Sequence, residues 1–439
     1  MEADLGQTGR RMITRIFRER ETMRAMIDSL KARQRSLAIA SLLAIAPAAA
    51  HCQAAPPAAA APAAETSCLP QGMFAGPARY QSVEQLPDGR VTFRLCAPRA
   101  QEVRVTSSDN DEAIPMGFAP GSQRGLPMTK DATGLWTVTT AKPVAADVYR
   151  FNFEVDGARV PNPQGTTFSH ERVGTNSTFE VTGPAGAFQT YAANVPHGTV
   201  SRIEYWSSTL NAKRGAVVYT PPGYMKDNAS YSVLYLVHGA GDSADSWTSV
   251  GHANYILDNL IAAGKAQKMI VVMPFGHTPD RPGGNMLTNT DFGDDLIKDL
   301  IPYVDANFRT QTDRQHRAMA GLSMGGAHTL RFGLTHPELF SQIGIFSMGL
   351  GLQGPNDVAD YERANDAALK RAASDLSLVY YAMGTEDFLY GSVAPTRAML
   401  NKYGISHVYN ESGGGHTWIN WRRYLADFAP RLFQSHSGD

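Results

Sequence analysis

The sequence predicts an α/β fold in which a small antiparallel β-sandwich precedes a mostly parallel sheet covered by helices. Two observations carry this. Between about residues 80 and 181, apolar side chains alternate with polar ones in short runs, as at Val91, Phe93 and Leu95 and at Tyr149, Phe151 and Phe153, punctuated by turn pairs such as Asp88-Gly89 and Asp156-Gly157. From about residue 198 the pattern changes to continuous apolar runs at 233–237, 269–273, 317–320, 342–346, 378–383 and 407–409, separated by helix-like stretches such as 253–263, 294–308 and 326–334. Alternating β and α segments of this kind imply a parallel sheet buried on both faces.

The remaining segments follow in order. Lys31, Arg33 and Arg35 precede an apolar run over 37–50 that ends in Ala48-Ala49-Ala50, the layout of an export signal. The run is short and broken by Pro47, so it is a poor membrane span. The basic stretch before it is long for a signal, which suggests a true start at Met23 or Met26. The expected division is an upstream extension and signal peptide over 1–50, an Ala/Pro-rich leader over 51–78, the β-sandwich over 79–183, a linker over 184–197 and the α/β domain over 198–439. The mature chain is expected to be secreted or periplasmic, with no membrane association after signal removal. Export would let Cys68 and Cys96 pair, although sequence alone leaves their separation open.

Composition narrows the function. A formal net charge of −1 supplies no field for nucleic acid or an anionic membrane. The three cysteines all lie before residue 100, and no H-x-H or H-E-x-x-H spacing is present, so neither thiol chemistry nor a metal centre is expected and no cofactor is implied.

Chemistry is carried by Gly321-Leu322-Ser323-Met324-Gly325, a G-x-S-x-G between a strand candidate and a helix candidate. A serine on that turn projects Oγ above the sheet, and the flanking glycines remove Cβ clashes. Serine needs a base, and the base and acid follow it in chain order in this arrangement. His416, after a loop of three glycines, is the base candidate. Glu386 and Asp387, just past the 378–383 run, both qualify as the acid that fixes the imidazole tautomer, and their spacing does not separate them. An oxyanion hole requires two backbone N–H donors. Met324 supplies one, and the loop at His238-Gly239-Ala240-Gly241 supplies the other, with Ala240 preferred and Gly241 second. His238 is expected to brace that loop. His328 and His336 are expected on the surface and His407 inside a strand. Trp247, Phe388, Trp418 and His277 are the candidate substrate-binding side chains because they flank these loops.

Residues 218–224 (VYTPPGY), 234–239 (LYLVHG), 320–326 (AGLSMGG) and 415–418 (GHTW) resemble carbohydrate esterase family one, which contains feruloyl esterases, acetylxylan esterases and enterochelin-esterase-like enzymes. The resemblance runs from about residue 198 to the C-terminus. It implies an α/β-hydrolase fold and a triad of Ser323, His416 and Asp387, the last breaking the tie with Glu386. Residues 91–95, 134–136, 156–157 and 161–163 resemble the immunoglobulin-like module found in front of glycogen-branching enzymes and many such esterases.

The expected function is a secreted serine esterase that releases feruloyl or acetyl groups from plant cell-wall polysaccharide through an acyl-enzyme, its partner being a carbohydrate-linked ester. The rival readings are a siderophore-ester or broad carboxylesterase, an acyltransferase, and a non-catalytic glycan-binding protein. The last predicts a missing triad member, and none is missing.

Overall fold

The computed structural model describes residues 67–69, 76, 80–118, 121–279, 289–352, 354 and 356–434. The expected signal peptide, and all of the leader but a few residues, lie outside the described residues. In chain order the first strands are β1 (Val83–Gln85), β2 (Val91–Cys96), β3 (Val103–Ser107), β4 (Leu126–Pro127), β5 (Thr129–Lys130), β6 (Leu135–Thr139), β7 (Val148–Val155), β8 (Ala158–Val160), β9 (Phe168–His170) and β10 (Thr175–Glu180). They form two antiparallel sheets, β1-β2-β6-β5 and β4-β3-β7-β10-β9, with β8 added to β7. Inward-facing residues of both sheets share one core. The Phe93 ring of β2 meets Phe151 and Phe179 of the opposite sheet with centroids 5.2 Å apart in each case. Trp136 belongs to this core, its Nε1–H donating to the Ala97 carbonyl at 2.9 Å. A disulfide joins Cys68 to Cys96 at the end of β2.

The second half builds an eight-stranded sheet from β11 (Thr199–Ser207), β12 (Ala212–Thr220), β13 (Ser232–Val237), β14 (Met269–Pro274), β15 (Arg317–Leu322), β16 (Gln342–Phe346), β17 (Leu378–Gly384) and β18 (Val408–Ser412). The order is β11-β12-β14-β13-β15-β16-β17-β18. The first two pairings are antiparallel and all later ones parallel. Successive side chains of a strand point to opposite faces. Val233, Tyr235 and Val237 therefore enter one core with the helices at 291–307, 324–333 and 357–375, while Leu234 and Leu236 enter a second core with Ala253–Ala262 and Trp418–Phe428. Two buried faces explain why β13 and β15 read as uninterrupted apolar runs.

The described residues form one compact unit. The segment expected as a linker is packed: the carbonyls of Phe188 and Thr190 each accept from Asn259 Nδ2 at 3.1 Å. The two halves also exchange core residues. Val148 of β7 lies in the second core of the large sheet, and Ile419 packs against the sandwich core. Beside them the buried Arg422 pairs with Asp147 and donates to the Val148 carbonyl at 3.0 Å. No helix among the described residues is long and apolar enough to cross a membrane.

Phe93 is fully buried at the meeting point of the two small sheets. Phe93→Ala is expected to cost about 3–5 kcal/mol of stability, read from the denaturant midpoint. A loss under about 1 kcal/mol would contradict a shared aromatic core.

Candidate active site

The parallel strands β15, β16, β17 and β18 end side by side, with Leu322 opposite Phe346 and Gly384 opposite Ser412. Ser323 follows β15 directly, at φ 51° and ψ −116°, a region that costs a side-chain-bearing residue energy. Its neighbours hold it there. A Cβ on Gly321 would run into the backbone of Gly325, and one on Gly325 would run into the Val237 carbonyl. The Ser323 N–H donates to the Phe346 carbonyl at 2.9 Å, and its own carbonyl accepts from Ala327 N–H at 2.9 Å. The helix begins at Met324 and continues as a π-helical turn over Thr329–Gly333.

Asp387 lies three residues past β17 and His416 four past β18. The structure brings them into contact: His416 Nδ1 is 3.0 and 2.9 Å from the two carboxylate oxygens. An ionised carboxylate only accepts, so Nδ1 carries the proton and Nε2 keeps its lone pair. Asp387 is buried and is further held by the Leu389 N–H at 2.9 Å, whereas Glu386 points to solvent. The imidazole lies between Phe388 and Trp421, at centroid distances of 4.5 and 5.0 Å. Sequence reasoning missed two supports. Trp421 Nε1–H donates to Ser347 Oγ at 3.0 Å, and Asn420 Nδ2 donates to the carbonyls of Gly413 and Gly415 at 3.1 and 2.9 Å, fixing the glycine loop. The available signal was their position on the helix that opens just after His416.

The loop after β13 faces the serine: a Cβ on Gly239 would stand 3.5 Å from Ser323 Cβ. His238 braces it, with Nδ1–H donating to the Gly239 carbonyl at 2.8 Å and Nε2 accepting from Gly276 N–H at 2.9 Å. Burial pushes the pKa of His238 down to about 4, so the ring is neutral. Ala240 is half-buried and Gly241 exposed, and the Gly241 carbonyl accepts from Arg172 N–H at 3.0 Å. Met324 is buried at the helix start.

Several expectations need correction. Trp247 and Trp418 flank the loops in sequence but are fully buried and meet edge to face at 5.1 Å, so they are core residues with no surface for substrate. Trp247 Nε1–H is spent on the Val237 carbonyl at 3.2 Å. His277 is buried too, its Nε2 3.2 Å from the Asp242 carbonyl, and burial lowers its pKa to about 4. Of the four residues expected to bind substrate, Phe388 alone offers a face, being 76% exposed. His328 is not on the surface but buried and stacked on Phe292 at 4.2 Å. His407 precedes β18 and is not part of it. Among the described residues, a cavity of about 530 Å³ opens between the helix after Ser323, the segment after β16 and the 357–375 helix, lined by the apolar Ala327, Leu330, Met348 and Leu350, by Tyr361, and by the polar Arg331, Asn356, Asp357, Asp360 and Asn365. No cluster of metal-ligating side chains occurs among the described residues.

The esterase family model matches residues 207–432, the stretch that contains Ser323, Asp387, His416 and the loop after β13. The chain belongs to the esterase family. This esterase is 32% identical over 356 residues to an endo-1,4-beta-xylanase/feruloyl esterase of Xylanibacter ruminicola, a match covering 79% of the chain and 45% of that relative. It is 27% identical to endo-1,4-beta-xylanase Y of Acetivibrio thermocellus, over 51% of the chain and 22% of the relative. The esterase thus spans less than half the length of both curated relatives. The family match and the first of these relatives bear out the resemblance to the feruloyl-esterase group. The crystal structure of an enterochelin esterase from Shigella flexneri, 17% identical, superposes with a TM-score of 0.56 over 80% of the chain and 95% of its own. Its likeness is one of fold, the α/β-hydrolase type.

The buried histidines give the esterase a pH signature. Burial holds His238 near 4 and His328 near 3, both below the ordinary 6.5. A depressed folded-state pKa means that stability is complete above about pH 6.5 and is lost as pH falls toward 4, because the unfolded chain takes up protons first. The loss should approach about 3 kcal/mol for each of the two rings at pH 4, read from denaturant midpoints between pH 7.5 and 4. His328→Phe should make that slope shallower.

Proposed function

We propose that this esterase is a secreted serine carboxylic-ester hydrolase that removes feruloyl or acetyl groups from plant cell-wall polysaccharide by way of an acyl-enzyme. The observation that carries the reading is the Asp387–His416 pair, held past the ends of β17 and β18 in the same parallel sheet whose strand β15 runs into the strained Ser323. Ser323 Oγ is the nucleophile. His416 Nε2, left as an acceptor by the bond from Nδ1 to Asp387, takes the Oγ proton as the C–O bond forms and returns it to the departing alcohol. The N–H groups of Met324 and Ala240, with Gly241 second, receive the oxyanion. Water then enters by the same base and releases the acid.

Support for the substrate is coarser. The relative matched over most of the chain is named a xylanase and feruloyl esterase. A planar acyl group has apolar surface available at exposed Phe388, which flanks His416, and in the cavity beside Met348 and Tyr361. Secretion is supported by the basic-then-apolar pattern over 31–50 and by the Cys68–Cys96 disulfide, a bond that persists in oxidising compartments. We assign residues 79–183 as an immunoglobulin-like module on the strength of its two antiparallel sheets and shared core.

Ser323→Ala should abolish turnover of p-nitrophenyl acetate with an unchanged melting temperature, and retained turnover would sink the mechanism. Asp387→Asn should lower kcat by about 10³- to 10⁴-fold through the wrong tautomer, while Glu386→Gln leaves it within about 3-fold. For the substrate, kcat/KM should be higher for methyl ferulate or acetylated xylan than for a cyclic catecholate siderophore ester. The reverse ranking would replace the cell-wall assignment.

A further inference from the structure

The loop that faces Ser323 is held from outside its own domain. Asp242 is the pivot. Its Oδ2 accepts from Gly239 N–H at 3.3 Å, and its own N–H donates to the Gly239 carbonyl at 3.2 Å, closing residues 239–242 into a turn. Its Oδ1 accepts from Nη1 of Arg150 at 2.9 Å, and Arg150 belongs to β7 of the sandwich, 92 residues earlier in the chain. The guanidinium has no freedom to turn. Nε lies 3.2 and 3.1 Å from the two oxygens of Asp109, Nη2 donates to Asp109 Oδ1 at 2.8 Å, and the Arg150 backbone N–H donates to Asp109 Oδ2 at 2.8 Å. All three side chains are buried. A second strap runs alongside: Glu171 pairs with Asp242 as an antiparallel bridge, Arg172 N–H donates to the Gly241 carbonyl at 3.0 Å, and Ser246 Oγ donates to the His170 carbonyl at 3.2 Å.

We infer that Arg150 is a positioning residue for ester hydrolysis: through Asp242 the sandwich sets the direction of the Gly239–Gly241 peptide groups, and with it the oxyanion hole. The inference rests on the esterase reading above. Its physical basis is that a donor must be aimed at the place where charge develops, so a loop displaced by about 1 Å forfeits about 10²-fold in rate even with every residue present. Without Arg150 the Asp242 carboxylate is a buried charge with its counter-ion gone. It turns toward water, and Gly239 N–H loses its acceptor, or it takes up a proton, and that N–H is left with a weaker neutral acceptor that no guanidinium holds in place. A role as interfacial glue would move stability alone.

The test uses the full chain. In Arg150→Met, kcat for p-nitrophenyl acetate should fall about 10- to 100-fold with KM within about 3-fold. Amide hydrogen exchange across residues 238–245 should rise at least about 10-fold, while peptides spanning 323–328 and 413–420 keep their rates. Arg150→Lys, which keeps a cation but not the planar fork, should fall between Arg150→Met and the natural protein. If Arg150→Met does not fold, the near-isosteric Asp242→Asn takes its place and should give the same kcat loss and the same local exchange. A lower melting temperature with unchanged kcat and unchanged exchange at 238–245 would overturn the inference. An unmutated chain inert toward every ester would overturn the esterase reading alone, and the exchange data would still decide whether Arg150 holds the loop.

Discussion

The backbone of Ser323, forced to positive φ, is the constraint on which the rest of the site depends. A conformation that costs on the order of 1–3 kcal/mol persists only where the surroundings fix it. Here they do so by proximity. Gly321 lies against Gly325, and Gly325 lies against the Val237 carbonyl, so the start of the helix after Ser323 packs onto the ends of β15 and β13 with no side chain between them. The same closeness brings the loop after β13 over the serine. The turn at Ser323 and the placement of the loop after β13 are therefore two results of one packing fact. A side chain at either glycine would push them apart together.

Histidine serves two opposite purposes around this turn. His238, His277 and His328 are buried and neutral, and their ring nitrogens bond to backbone groups of neighbouring loops. They act as spacers with fixed tautomers. His416 is held by the Asp387 carboxylate and walled by two aromatic rings, one of them the exposed Phe388. What separates the roles is the partner of Nδ1: a carbonyl for the bracing His238, an anion for the ring assigned as base.

Much of this was legible in the sequence because it is local. The turn at Ser323 needs five consecutive residues, and the central strands are apolar throughout because both faces are covered. Nearness in sequence does not give direction, however. Trp247 and Trp418 follow the loops at 238–241 and 413–416, yet their helices turn them into the core. Adjacent Glu386 and Asp387 are alike on paper, and only the burial of one against His416 tells them apart. His328 lies on a helix pressed between the sheet and the 291–307 helix, so it has no outer face to occupy. The charged seam between the halves was unreadable for a different reason. Arg150 meets Asp242 and Arg422 meets Asp147 across separations that no periodicity spans.

That last pairing bears on how the chain is made. Asp147 and Arg422 are 275 residues apart, one in the sandwich and the other near the C-terminus. During synthesis the sandwich can assemble its own aromatic core early, since every fully buried member of that core precedes residue 182 and only Ile419 joins from the far end. Its Asp147 carboxylate, which until then has only Val148 N–H and Gln189 Nε2 as donors, gains its counter-ions when the 418–428 helix has emerged and docked. A contact of such long range is formed late, because the intervening chain has to be ordered first. The first half of the polypeptide thus waits on the last, and the esterase part is no cassette that could be cut free without leaving a buried guanidinium stranded.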